Sequence, residues 1–188
     1  MATRTPAVKK QSTALISFDD EVEALKAQLG APSGDKIKVE NKTFTLPSGA
    51  SANELGVVIV DFVYFNAYYE SAYQKGVRTP PACFALSAEE GALEPSANSP
   101  SSQCDACPGC ALNQWGSGVG DGKACQNRIL IAVLPGDRTT TTKETPLAII
   151  DLSPTAIKDF KNYVGSLARG MNRPPYAVVS RVSCDPKS

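Results

Sequence analysis

The chain is predicted to fold mainly as β structure with some α: a small OB-type barrel elaborated by a four-cysteine zinc loop, with one N-terminal and one C-terminal helix. Three observations predict it. Five or six short runs have the alternating or continuously apolar character of strands, one late helix has a clear start signal, and five of the six cysteines crowd between Cys83 and Cys125. At 188 residues the chain is long enough for one well-filled core and short for two. The expected organisation is therefore a flexible basic arm over 1–15 and a single OB-type domain over 16–188, with the zinc loop inserted at 83–125.

In chain order, residues 1–13 are small and polar, carry Arg4, Lys9 and Lys10, and lack both apolar periodicity and the apolar core of a signal peptide. A short helix is expected from Asp19 to Leu29, because Val22, Leu25 and Leu29 recur at three and four residues, acidic residues crowd the first turn and Gly30 stops it. Lys36 to Leu46 alternates as two short strands about a turn at Asn41-Lys42. Leu55 to Phe65 is too continuously apolar for an exposed strand and reads as a central one. Ala85 to Gln103, rich in Ser, Pro, Ala and Glu, reads as a loop.

Two further runs, Arg128 to Leu134 and Leu147 to Leu152, are β-type and joined by a connection that begins Pro135-Gly136-Asp137-Arg138. Ser153-Pro154 marks a helix N-cap and first position, and Ile157, Phe160, Val164 and Leu167 lie on one face of a helix reaching about Ala168, with Lys158 and Lys161 on the other. A last strand is expected over Tyr176 to Val182, with Cys184 just beyond it.

The chemistry lies in the cysteines. Cys83-x20-Cys104-x2-Cys107-x2-Cys110-x14-Cys125 contains C-x2-C turns, each of which places two thiolates on one loop, and a second pair from elsewhere closes a tetrahedron around Zn²⁺. The chain has no histidine, so the site is all-cysteine. Cys83, Cys107, Cys110 and Cys125 are the expected ligands, with Cys104 the substitute. A 4Fe–4S cluster is the competing cofactor, and structural disulfides are a third reading. A closed four-thiol site holds loops together and performs no catalysis.

Lys plus Arg equals Asp plus Glu at 19 each, which argues against a histone-like polycation and leaves local basic patches open. No apolar run approaches membrane-spanning length, so no membrane partner is expected and the cytoplasm is the expected location. Without histidine there is no ordinary imidazole base, and no carboxylates pair in a recognisable motif, so an enzyme is not expected.

Tyr64, Phe65, Tyr68, Tyr69 and Tyr73 form an aromatic cluster with two readings: core rings, or stacking platforms for unpaired bases beside Lys75 and Arg78. Trp115 likewise reads either as an exposed ring or as a cover packed over the cysteine knuckle. The four glycines from Gly116 to Gly122 precede Lys123 and read as a flexible loop or a phosphate cradle, without any nucleotide-binding fingerprint.

The combination Pro80-Pro81-x-Cys83, then Cys-x2-Cys, then Asn113-Gln-Trp-Gly-Ser117 and Gly122-Lys-Ala-Cys125 resembles a family of tailed-bacteriophage single-stranded-DNA-binding proteins, over roughly the middle and C-terminal two-thirds of the chain. In that family Cys-x2-Cys is followed at once by Pro-x-Asn; here Cys110-Ala-Leu intervenes, so alignment by Cys-Pro picks Cys104 and Cys107 while distance to Asn113 picks Cys107 and Cys110. The resemblance implies a zinc-bearing OB-type protein of phage replication or recombination, working in the cytoplasm of the infected bacterial host beside replication or recombination proteins. Such a protein needs spaced cations and exposed rings. The residues expected to supply them are Tyr68, Tyr69, Tyr73, Lys75, Arg78, Trp115, Lys123, Arg128, Arg138 and Lys143. The alternative is a virion or assembly protein whose zinc knuckle stabilises a protein-docking surface.

Overall fold

The first hairpin follows directly from its turn. Strands β1 (Asp35–Glu40) and β2 (Thr43–Thr45) pair antiparallel with Glu40 opposite Thr43, leaving only Asn41 and Lys42 between them. Both turn residues are left-handed, at φ 49 and 64, the conformation of a type I′ turn, whose twist matches that of the strands. This computed structural model describes residues 35–72, 74, 77, 79–137, 145 and 147–184, all within the unit Ala31–Ser188. The basic arm and the helix expected at 19–29 lie outside the described residues.

The apolar run becomes β4 (Glu54–Tyr68), the 15-residue centre of the sheet. Along one edge it pairs with β6 (Gln126–Pro135). Its other edge is shared: β8 (Ser180–Ser183) pairs with Glu54–Val57, and β5 (Cys83–Ser87) with Tyr64–Tyr68. Beyond β6 lies β7 (Ala148–Leu152), antiparallel to it, and β1 joins β7 in parallel. With β3 (Ser51–Ala52) on the outside of β2, the order is β3-β2-β1-β7-β6-β4-β5.

The sheet is mixed and open, which corrects the expected closed OB-type barrel. Its end strands β3 and β5 do not pair among the described residues. The free side of β5 is occupied by its own loop: Ala85 bridges Pro95, Ser96 N–H donates to the Phe84 carbonyl, and Ser101 N–H donates to that of Ala82. An edge covered in this way offers no row of free groups on which a barrel could close.

A β-bulge decides what each face carries. The β4–β6 register shifts between Ile59 and Asp61, so Val60 has no partner on β6, and alternation restarts one residue later. Val57 and Ile59 before the bulge, and Phe62 and Tyr64 after it, therefore serve the same core as Ile37, Phe44, Ile129, Ile131, Val133 and Ile150. Val63, Phe65 and Ala67 turn to the opposite face with Phe84 and Leu130. Fully burying an Ile or Val side chain contributes about 1.5–3 kcal/mol, and Ile129, Ile150 and Val133 are the most completely enclosed.

Helix α1 (Ile157–Gly170) covers the first core with the face expected of it: Phe160 is buried, Ile157 and Val164 pack beside it, and Phe62 meets the Phe160 ring edge-on at 5.1 Å. Its entry has Ser153 at the N-cap and Pro154 at the first position, as expected, but differs in its bonding. A 3-10 turn, Pro154–Ala156, precedes the α-helix, and the Ser153 hydroxyl bonds Thr155 Oγ1 at 2.9 Å and caps no backbone N–H. The exit runs past Ala168 to Gly170, where Met171 and Arg173 N–H groups return to the Leu167 carbonyl and Asn172 takes φ 50, an αL stop with Asn in glycine's usual role.

Two other expectations shift. The last strand is not Tyr176–Val182: Pro175–Ala177 forms a 3-10 turn and pairing begins at Ser180, because prolines at 174 and 175 favour a tight turn and withhold ladder N–H groups. The loop expected from Ala85 is strand as far as Ser87. Cys184 packs partly against the main core.

Candidate metal knuckle and nucleic-acid groove

Pro108 and Gly109 fold the chain tightly enough to bring neighbouring cysteines round on themselves. Cys107–Gly109 is a 3-10 turn, Ala111–Asn113 is another, and the N–H groups of Cys110 and Asn113 donate to the carbonyls of Cys107 and Cys110. Cys107 N–H donates to Leu93 and Cys125 N–H to Leu112, which ties this turn to the sheet. Cys83 opens β5 and Cys125 directly precedes β6, so two thiols come from the turn and two from strand ends.

Cys83, Cys104, Cys107, Cys110 and Cys125 all line one cavity of about 10 Å³, beside Asn66 and Tyr68. Cys83, Cys107, Cys110 and Cys125 are buried and Cys104 is half-exposed; all six cysteines of the chain are free thiols. The thiols share a cavity without being drawn onto one centre: among the described residues no group of three or more Cys, Asp or Glu side chains forms a ready-made metal-holding cluster.

Burial pushes the Cys125 thiol up to about 12, with Cys107, Cys110 and Cys83 adding to the effect and Lys123 opposing it. Burial, the hydrogen bond to Cys110 and the neighbouring thiols likewise push Cys104 up to about 12. Cys107 is raised by burial and by Cys83, against a hydrogen bond from Asn66. Thiols so crowded stay neutral unless a cation enters to balance their charge.

The Asn113-Gln-Trp-Gly-Ser117 run is the knuckle's brace. Asn113 Nδ2 donates to the Cys107 carbonyl at 2.9 Å, and Gln114 Nε2 to those of Pro108 and Cys110, both at 3.1 Å. Ser117 Oγ donates to Leu112 and accepts from the Ala124 N–H at 3.1 Å. Asn113 Oδ1 faces the other way, accepting from Lys123 Nζ at 3.3 Å and Asn127 Nδ2 at 3.0 Å.

The glycine run is a closed loop. Gly116 and Gly118 N–H groups donate to carbonyls of the same loop, at Asp121 and Gly122, so they are not a cradle of free amides. Gly118 has no room for a side chain: a Cβ there would lie 2.8 Å from the Ala124 backbone nitrogen.

Beside the knuckle, a groove of about 600 Å³ is lined by Trp115, Lys123, Cys125, Gln126, Asn127 and, from the α1 side, Pro154, Ile157, Lys158, Lys161 and Asn162. Trp115 is 80% exposed, which corrects the reading that it packs over the knuckle. Lys123 Nζ stands 5.6 Å from the Trp115 ring centre, within cation–π range. Lys161 pairs with Glu90 and stands 5.3 Å from the Tyr64 ring centre.

Of the expected DNA-contact residues, the structure brings Trp115 and Lys123 together in this groove. Tyr68 belongs to the thiol cavity. Tyr69 is half-buried against the second core; burial raises its hydroxyl pKa, partly offset by Arg128. Arg128 is occupied on the sheet, donating to Asp151 at 3.1 Å and Gln126 at 2.7 Å. Neither Tyr68, Tyr69 nor Arg128 lines the groove. Tyr73, Lys75, Arg78, Arg138 and Lys143 lie outside the described residues. Lys158 and Lys161 were legible as the polar face of the helix, spaced three apart, but nothing local placed that face opposite Trp115.

Among the described residues no helix is long and apolar enough to cross a membrane. No protein-family model, curated protein or solved structure matches this chain.

Proposed function

We propose that the protein binds single-stranded DNA in the groove beside the cysteine knuckle, in a phage replication or recombination setting, with a structural zinc held by Cys83, Cys107, Cys110 and Cys125. The observation that carries the reading is the exposed Trp115 ring facing a groove with three lysines, Lys123, Lys158 and Lys161. A flat ring accepts an unpaired base, whose π-face a duplex keeps covered, and the lysines meet the phosphates on either side. The resemblance of the Cys, Asn-Gln-Trp-Gly-Ser and Gly-Lys-Ala-Cys elements to phage single-strand-binding proteins supports the same setting.

The donor set fits zinc. Five thiols, which are soft donors, line the cavity and four of them are buried, the number a closed structural site requires. Four buried thiolates can close a tetrahedron around one zinc ion, and a 4Fe–4S cluster is the competing cofactor that metal and sulfide analysis separates. The half-exposed Cys104 is the thiol outside the quartet. When bound, zinc would cross-link the turn to the starts of β5 and β6; DNA contact falls to this chain's own ring and lysines.

Trp115 is the only tryptophan, so its fluorescence reports on the groove alone. Titration with oligothymidine at low salt should quench it, duplex of equal length should compete poorly, and Trp115→Ala should weaken binding by about 1–3 kcal/mol with the melting point unchanged. An absence of binding to oligothymidine at low salt would remove the DNA reading and leave a protein-docking role for the knuckle.

A further inference from the structure

Asn113 stands between the two parts of the site, and its two ends serve different halves. Its amide nitrogen holds the carbonyl of Cys107 in the thiol turn, while its oxygen holds Lys123 Nζ and Asn127 Nδ2, both groups of the groove. Cys125 lines both the thiol cavity and the groove. Gln114 and Ser117, on either side of Trp115, fasten the same segment to Pro108, Cys110 and Leu112. Trp115 itself, being 80% exposed, has little packing of its own to fix where its ring points. Its position is inherited from the knuckle.

We infer that the thiol site and the groove are one coupled unit, in which a thiophilic divalent cation bound by the cysteines sets the groove's affinity for single-stranded DNA and Asn113 is the positioning residue that carries the coupling to Lys123. The inference rests on the proposed DNA reading for its ligand, and on the hydrogen bonds through Asn113 for its mechanism. Without a cation, the four buried thiols that line one cavity have no shared partner to hold the turn. The turn then loosens, and the ring and Lys123 lose their fixed separation. Binding that depends on a preset geometry weakens by the fraction of time that geometry is lost.

The experiment uses the full chain, as purified and after chelation under a reductant, with zinc content measured on each sample. Three readouts are taken: anisotropy of Trp115 without DNA, oligothymidine affinity, and far-ultraviolet circular dichroism. Chelation should lower the anisotropy and weaken oligothymidine binding about tenfold or more while the β signal persists, and zinc should restore both. Asn113→Ala should retain zinc at the wild-type ratio yet bind oligothymidine about 5- to 10-fold more weakly. Should that variant fail to fold, Asn127→Ala, which leaves the Cys107 contact intact, should give a smaller loss with full zinc. Unchanged anisotropy after zinc removal, unchanged affinity in zinc-loaded Asn113→Ala, or a purified chain without metal would each overturn the coupling. Failure of the wild type to bind oligothymidine would instead strike the DNA reading, since the anisotropy response needs no DNA.

Discussion

Replacing Lys158 by Ala tests the groove through its charge. Binding that neutralises phosphates releases counterions, so the logarithm of affinity falls with the logarithm of salt by about 0.7 per contact on a single strand. The groove presents Lys123, Lys158 and Lys161, which gives a slope of about −2. From about 50 to about 200 mM salt the affinity should then fall about 16-fold. Lys161 already pairs with Glu90 and must exchange one partner for another. Lys158 is exposed and has no ion pair with the described residues, so its removal should flatten the slope by about 0.7 without lowering the melting point. The assay is Trp115 quenching by oligothymidine at four salt concentrations, for wild type and variant side by side. A slope unchanged by Lys158→Ala, or a wild-type slope steeper than about −4, would mean that the phosphates run elsewhere.

For the proposed zinc site, serine at Cys83, Cys107, Cys110 or Cys125 should abolish zinc binding and lower the melting point, whereas Cys104→Ser and Cys184→Ser should keep about one zinc per chain, as metal analysis would read. Burial holds the metal-free thiols of Cys104 and Cys125 at about 12, above the ordinary thiol value of about 8.5. Their contribution to metal-free stability is thus complete below pH of about 8.5 and lost as pH rises toward 12, while the zinc-loaded protein, its ligands already deprotonated, should lose metal as pH falls; melting curves on both forms across pH check each sign. Gly118→Ala, which would press a Cβ to 2.8 Å from the backbone of Ala124 and Lys123, should destabilise the chain by about 1–3 kcal/mol and shift the Trp115 emission, as thermal melts and spectra would show.

The hairpin and the helix were readable because their signals are local. Asn41-Lys42 between two alternating runs names a two-residue turn, and Ile157, Phe160 and Val164 mark one side of a 3.6-residue period. The strand at Cys83–Ser87 was missed because a five-residue run followed by Ser, Pro and Glu reads as loop; what makes it strand is Tyr64–Tyr68 lying alongside. The hydrogen bond missing from the Ser153 N-cap has a similar cause. Its hydroxyl found Thr155 two residues on, an alternative that Ser-x-Thr spacing allows as readily as a cap.

The sequence by itself determined the chemistry of this protein: five soft donors at turn-forming spacing, no imidazole, one tryptophan and a balanced charge are properties of residue identity and need no fold. It also determined the first hairpin, the central strand and the late helix, because backbone preference and hydrophobic period act over a few residues. Only the tertiary structure decided that the sheet stays open, since that depends on whether the loop following β5 folds back over its free side. Only the structure, too, placed the bulge at Val60, where register is set by pairing with β6 and not by β4 alone. The groove is the clearest case. Trp115 and Lys158 are 43 positions apart, and they face one cavity because the loop entering β6 and the start of α1 after β7 lie at the same end of the sheet, a distance that no periodicity within either segment can encode.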